Sequence, residues 1–335
     1  MLLQEYPNCV FCGNKNFKKI KKQSFKMNFY LDAIIEDLNL SKNIFKKIKT
    51  LQCKKCFILQ NSPWFSKKIS KKIYTNIYGQ HNRSWSNVLN FLKKGKVPYH
   101  GELFEMLNKN IKIKTYGEFN SPFMGIFLNF FDLEHRYKKK QIKILFNNII
   151  NYLTSRQLVG VSQKKLNSSN LKAAKFLKNI NKFKNKNNVV KKYLFTENTN
   201  LSWSQNDNYK SVNSISFARE MFDFKEEDII SAKTSKKFDL FGIFHSLDHT
   251  FNPKKILDFA LNNSKLVIVY CHIDKMLNKQ HLFSFSEKFL DYLNSKKIYT
   301  LKINDLIDKN FSSPELYFVC SKDKKNIFKF KKNAY

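Results

Sequence analysis

Two sets of residues in this chain could do chemistry by their type and spacing. Four cysteines form two C-x-x-C pairs, Cys9 with Cys12 and Cys53 with Cys56, while Cys271 and Cys320 stand apart. Each pair lets two thiolates meet one metal from a tight turn, and two pairs complete a tetrahedral sulfur set. Gly13 follows the first pair and suits the positive φ of such a turn. All four positions are thiols and none is left open for substrate, so the expected ion is a structural Zn2+. A redox dithiol and unconnected thiols are the alternatives. The second set is His245, His249 and His281, each shortly after or before an apolar run. An imidazole titrates near neutrality and can act as a general base; a rim histidine bonded to a carbonyl is the structural alternative.

The elements that would position these histidines are clearest from Lys236 to Asp274. Phe238–Phe244 is an apolar run suited to a buried strand, and His245–Phe251 breaks it. Pro253 suits the first turn of a helix whose apolar face is Ile256, Phe259, Ala260 and Leu261. Leu266–Tyr270 is a second strand-like run. Strand, helix, strand is the βαβ unit of a parallel sheet, whose ligands sit at the carboxyl ends of the strands. That places His245–His249 and Cys271–Asp274 on one rim.

This segment resembles the fourth and fifth strands of class I S-adenosylmethionine (SAM) methyltransferases. Their pattern there is Phe-Asp, an apolar run, His-x-Leu-acid-His, then x-x-Pro; here it stands as Phe238-Asp239, His245-Ser246-Leu247-Asp248-His249 and Asn252-Pro253. The resemblance implies a Rossmann-like seven-stranded α/β domain over residues 109–322, with SAM as cofactor. By position Ile111–Tyr116 is the first strand, followed by a cofactor loop usually written E-x-G-x-G-x-G. This chain keeps Glu118 but only Gly117 and Gly125 as glycines around it, a reduced loop. The resemblance further assigns Glu197, after the second strand at Val189–Phe195, to the ribose, Asp223 to the adenine and His245 to the cofactor side. A plain surface carboxylate is the alternative at Glu197. Val212–Phe217 is expected as the third strand, and Lys297–Ile303 with Leu316–Cys320 as a closing antiparallel pair. The polar loop carrying Trp203 fits a stacking ring or a core anchor equally well.

Sugar C-methyltransferases with a zinc module carry a Glu-His pair before a Phe-Ser turn. This chain has Gln280-His281 and then Phe285-Ser286, with Ser286 expected to cap the next helix. The resemblance makes His281 the first choice of base, and Tyr74, Tyr78 and Trp85 part of a linker like theirs; rings that simply pack the domain junction are the alternative for these three. The expected organisation is a zinc-ribbon-like four-cysteine module at 1–58, with strands at Met27–Asp32 and Ile44–Leu51. A helical linker at 59–108, the methyltransferase-like domain and a frayed basic tail at 323–335 follow. The implied reaction is methyl transfer to a small-molecule acceptor, such as a nucleotide-linked or polysaccharide sugar.

Composition sets the outer bounds. The chain has 335 residues, 42% hydrophobic and 15% aromatic, enough for a sizeable core. It has no apolar run of membrane-spanning length and opens without a signal-peptide pattern, so a cytoplasmic location is expected. The net charge of +35 admits a nucleic-acid partner, and a zinc ribbon with scattered aromatics would suit one. The lysines are spread along the chain, and the Lys- and Asn-rich, Gly-poor composition fits an AT-rich coding bias instead. A non-catalytic methyltransferase-fold partner protein is the third reading, prompted by the reduced loop.

Overall fold

The structure, a computed structural model, describes residues 2–20, 29–73, 113–119, 191–196, 225–229, 232, 236–244, 246–273, 281–304 and 315–334. In the amino-terminal part, β1 (Leu3–Gln4) pairs with β5 (Trp64–Phe65), and β2 (Phe17–Lys19), β3 (Lys49–Cys53) and β4 (Leu59–Ser62) form an antiparallel sheet. Helices α1 (Phe29–Leu38), α2 (Ile44–Lys47) and α3 (Lys67–Lys72) lie between and after them. The expected strand at Met27–Asp32 is, where described, the start of α1. Leu31, Ile34, Ile35 and Leu38 recur at helical spacing, and Leu31 and Ile34 are fully buried. Of Ile44–Leu51, the first residues make one helical turn and only those from Lys49 are extended. The cysteine-bearing unit also runs past Ile58, because β4 carries its main polar anchor. Buried Gln60 accepts from Val10 N and donates to the carbonyls of Tyr6 and Asn8.

The second part is a mixed sheet of seven strands among the described residues. Its strands are β6 (Thr115–Phe119), β7 (Lys191–Thr196), β8 (Lys225–Asp228), β9 (Phe238–Phe244), β10 (Ser264–His272), β12 (Tyr299–Lys302) and β13 (Glu315–Ser321). Their spatial order is β12-β13-β10-β9-β6-β7-β8. The pairs β10–β9, β9–β6, β6–β7 and β7–β8 are parallel, while β13 runs against both β10 and β12. The chain thus fills the sheet outward from β6 through β7 and β8, then returns to lay β9 and β10 on the other side, with β13 inserted last between β10 and the edge strand β12. The remaining strand, β11 (Phe283–Ser284), leaves this sheet and pairs antiparallel with β4, extending the cysteine-bearing sheet.

Alternation along the strands builds a core on each face. Phe241, Ile243, Val267, Val269, Phe318 and Cys320 point to one face, which α4 (Pro253–Asn263) and α5 (Lys288–Ser295) cover. Leu240, Phe244, Leu266, Ile268, Tyr317 and Val319 point to the other, where Ile327 and Phe330 of α6 (Lys324–Ala334) pack. The expected frayed tail is therefore this helix, ordered by its apolar face. The amino ends of the strands are tied by Asp239. Its carboxylate accepts from Lys114 N, Thr115 N, the Thr115 hydroxyl and Lys265 Nζ, the last at 2.7 Å. Burial opposes its ionisation, but the hydrogen bonds from Lys265 and the two backbone N–H groups outweigh that and hold its pKa below the usual range.

Candidate functional site

The four paired cysteines converge. Cys9 Sγ lies 3.5 Å from Cys56 Sγ, and Cys12 Sγ 3.5 Å from Cys53 Sγ, with all four sulfurs within 4.8 Å of one another. A tetrahedron with metal–sulfur bonds of about 2.3 Å has sulfurs about 3.8 Å apart, so the set fits a zinc ion. The two turns repeat one geometry: Gly13 N donates to Cys9 O and Phe57 N to Cys53 O, with φ of 73° and 62° at Gly13 and Phe57. The second turn thus places a phenylalanine in the left-handed region that glycine fills in the first. The hydrogen bond from Cys56 brings the Cys9 thiol down to about 6, while burial pushes Cys12 up to about 12.

The second candidate lies where the strand order reverses. An open α/β sheet leaves a crevice beyond the carboxyl ends of its strands at that point, here between β6 and β9. Glu118, next to last in β6, is 1% exposed and accepts from the Tyr116 hydroxyl at 3.3 Å. Burial, with the neighbouring carboxylate, raises the Tyr116 pKa well above its ordinary value. Across the reversal, Ser246 donates to Phe119 O at 3.1 Å.

Beyond β9 a short turn, Leu247–His249, is seated by fully buried Leu247 and carries Asp248. Its Oδ2 lies 3.0 Å from Nδ1 of His272, the last residue of β10, and 3.9 Å from Nδ1 of His281. The side chains are 1%, 32% and 12% exposed for Asp248, His272 and His281. Both histidines are held through their carbonyls: Ser284 Oγ donates to His272 O at 2.9 Å, and Asn61 Nδ2 to His281 O at 2.8 Å. Asn61 belongs to β4 and is itself oriented by Thr50 Oγ1 at 2.8 Å. The cysteine-bearing sheet therefore sets the backbone of a rim histidine.

Among the solved structures this chain resembles are methyltransferases. The N-methyltransferase NodS from Bradyrhizobium japonicum WM9, in complex with S-adenosyl-L-homocysteine (SAH), has a TM-score of 0.34 at 7% identity, over 67% of this chain and 87% of that one. The plantazolicin methyltransferase BpumL, in complex with a triazolic desmethylPZN analog and SAH, scores 0.37 at 7% identity, over 76% and 96%. A SAM-dependent methyltransferase from Clostridium acetobutylicum ATCC 824 scores 0.33 at 10% identity, over 71% and 97%. No protein-family profile matches the sequence, and no curated protein matches it.

Of the residues expected from sequence, Glu118 lies at the reversal, His281 on the same rim, and Cys9, Cys12, Cys53 and Cys56 in one cluster. Gly117 is inside β6, not in a loop. A Cβ there would lie 2.5 Å from the Phe241 ring, so the packing against β9 accounts for this glycine. His249 closes the turn that carries Asp248. His245, Gly125, Glu197, Asp223, Trp203, Tyr74, Tyr78 and Trp85 fall outside the described residues. Ser286 does not cap α5: its hydroxyl donates to Phe57 O at 3.0 Å, a further tie to the second cysteine turn. Sequence reading passed over Asp248 and His272 as site residues. The signal was present, since both stand on the rim segments that the βαβ pattern brings together.

Proposed function

We propose that the chain is a SAM-dependent methyltransferase acting on a small-molecule acceptor, with Cys9, Cys12, Cys53 and Cys56 holding a structural Zn2+. The observation that carries this reading is a buried carboxylate, Glu118, at the carboxyl end of the first strand of a sheet whose order reverses there. A carboxylate in that crevice offers a counter-charge to a cofactor that carries an ammonium and a sulfonium. When bound, SAM supplies an electrophilic methyl group, and what remains for the protein is alignment of the acceptor and exclusion of water. The Tyr116 hydroxyl fixes the Glu118 carboxylate, and Ser246 joins the two strand ends that flank the crevice. Asp248, His272 and His281 form the polar group on the acceptor side of the same rim. A nucleotide-linked or polysaccharide sugar is the acceptor we favour, because the cysteine module pairs with β11, just after His281, and Asn61 of that module holds the His281 carbonyl.

Calorimetric titration with SAM and with SAH tests the cofactor claim. The zinc-loaded protein is expected to bind both, and Glu118→Gln to bind at least about tenfold more weakly while melting as the parent does. A folded protein that binds neither would overturn the reading.

A further inference from the structure

We propose that Asp248, His272 and His281 form a second metal site, for a divalent transition-metal ion bound through one carboxylate oxygen and two imidazole nitrogens. The three ligand atoms lie within 4.8 Å of one another, and both Nδ1 atoms approach the same oxygen, Asp248 Oδ2. Two imidazoles and a carboxylate converging from one side are the donor set of open transition-metal sites, which keep further positions for water or substrate. The spacing of Asp248 and His281, 3.9 Å, exceeds a hydrogen bond but suits two ligands of one ion. Burial adds a second argument: Asp248 is 1% exposed, and a cation beside it offsets the cost of a charged carboxylate there. Exposure differs usefully within the set, since His272 at 32% opens the ion toward solvent.

The scaffold is also that of a built site. The ligands come from a turn after β9, the end of β10 and the residue before Leu282–Ser284. Each histidine carbonyl is held by a side chain of another strand, Ser284 or Asn61. Such supporting bonds keep ligands in place when the ion exchanges. The site is distinct from the cysteine cluster in donor chemistry, nitrogen and oxygen against sulfur. Resting on the methyltransferase reading, the ion would bind an oxygen of the acceptor and orient it toward the cofactor crevice. His281 is then a ligand, not the base expected from its sequence context.

Cobalt(II), added to the zinc-loaded 335-residue chain, is the probe. The expected result is one equivalent taken up with visible ligand-field bands and no thiolate charge-transfer band. Asp248→Asn and, separately, the partly exposed His272→Ala should each weaken uptake by at least about tenfold, with zinc content and melting temperature unchanged. Absence of cobalt binding outside the cysteine cluster would overturn the site, as would uptake that survives both substitutions. SAH titration in parallel separates the two claims. SAH binding without cobalt uptake removes the metal site alone; cobalt uptake without SAH binding removes the methyltransferase reading and leaves the site.

Discussion

Gly242 is the residue on which the buried Tyr116–Glu118 pair depends. It stands opposite Glu118 in the β6–β9 ladder, and a Cβ there would meet the Tyr116 hydroxyl at 2.0 Å and the Phe244 ring at 2.4 Å. Gly242→Ala is expected to lower stability by about 1–3 kcal/mol in urea unfolding, with part recovered when Tyr116→Phe is added. Asp239 gives a second prediction at this scale. Asp239→Asn should cost about 1–3 kcal/mol near neutral pH, the range for hydrogen bonds to a charged group. The folded-state pKa of Asp239 is depressed, so its contribution is present above the ordinary aspartate range, near about 3.9, and is lost as pH falls through the lower folded value. Denaturation midpoints of parent and variant should differ at about pH 7 and converge in strong acid. Asp239 was legible in the sequence as part of a Phe-Asp motif, but its work of tying three strand starts was not. Its partners Lys114, Thr115 and Lys265 are far from it in sequence or masked among other lysines.

At the scale of elements, β11 joins the two halves. It pairs with β4, and Asn61 and Phe57 of the cysteine-bearing sheet accept or donate bonds at His281, Leu282 and Ser286. The ring of Phe11, between the first pair of cysteines, packs edge-on against Phe289 of α5 at 4.8 Å between centroids. Treatment with a strong chelator, which would strip a metal from the proposed four-cysteine site, should therefore speed amide exchange at Phe283 and Ser284 while Val267–Tyr270 in β10 keep their protection. Exchange mass spectrometry reads both in one experiment. Helix α6 makes the opposite contrast between neighbours. Phe330 is 1% exposed and Phe328 59% exposed, so Phe330→Ala should cost about 3–5 kcal/mol and Phe328→Ala less than about 0.5 kcal/mol. Sequence periodicity found α4, β9 and β10 because Ile256, Ala260 and Leu261 recur at helical spacing and β9 is apolar throughout. It missed α1 and α6. In α1 the short apolar run fits either period, and in α6 the lysines outnumber the few apolar residues that decide the packing.

At the scale of the whole molecule, the strand order is what sequence could not supply. The βαβ pattern fixes that β9 and β10 are parallel neighbours, yet nothing local to Thr115–Phe119 says that β6 lies between β9 and β7. That placement is set by side-chain fit across strands, such as Gly117 against Phe241. The rim cluster was half legible for the same reason. His281 was singled out by its motif, though as a base, while Asp248 and His272 come beside it only once three segments meet. Each cysteine pair was legible from its C-x-x-C spacing, but that the two pairs meet is seen only in the fold, where β2, β3 and β4 bring the four sulfurs within 4.8 Å of one another. The central claim is that the crevice between β6 and β9 receives the cofactor, and a crystal structure of the zinc-loaded protein with SAH tests it most directly. The account predicts SAH across the carboxyl ends of β6 and β9, with the Glu118 carboxylate within hydrogen-bond reach of it. Saturating SAH that leaves this crevice empty, or settles elsewhere on the chain, would contradict it.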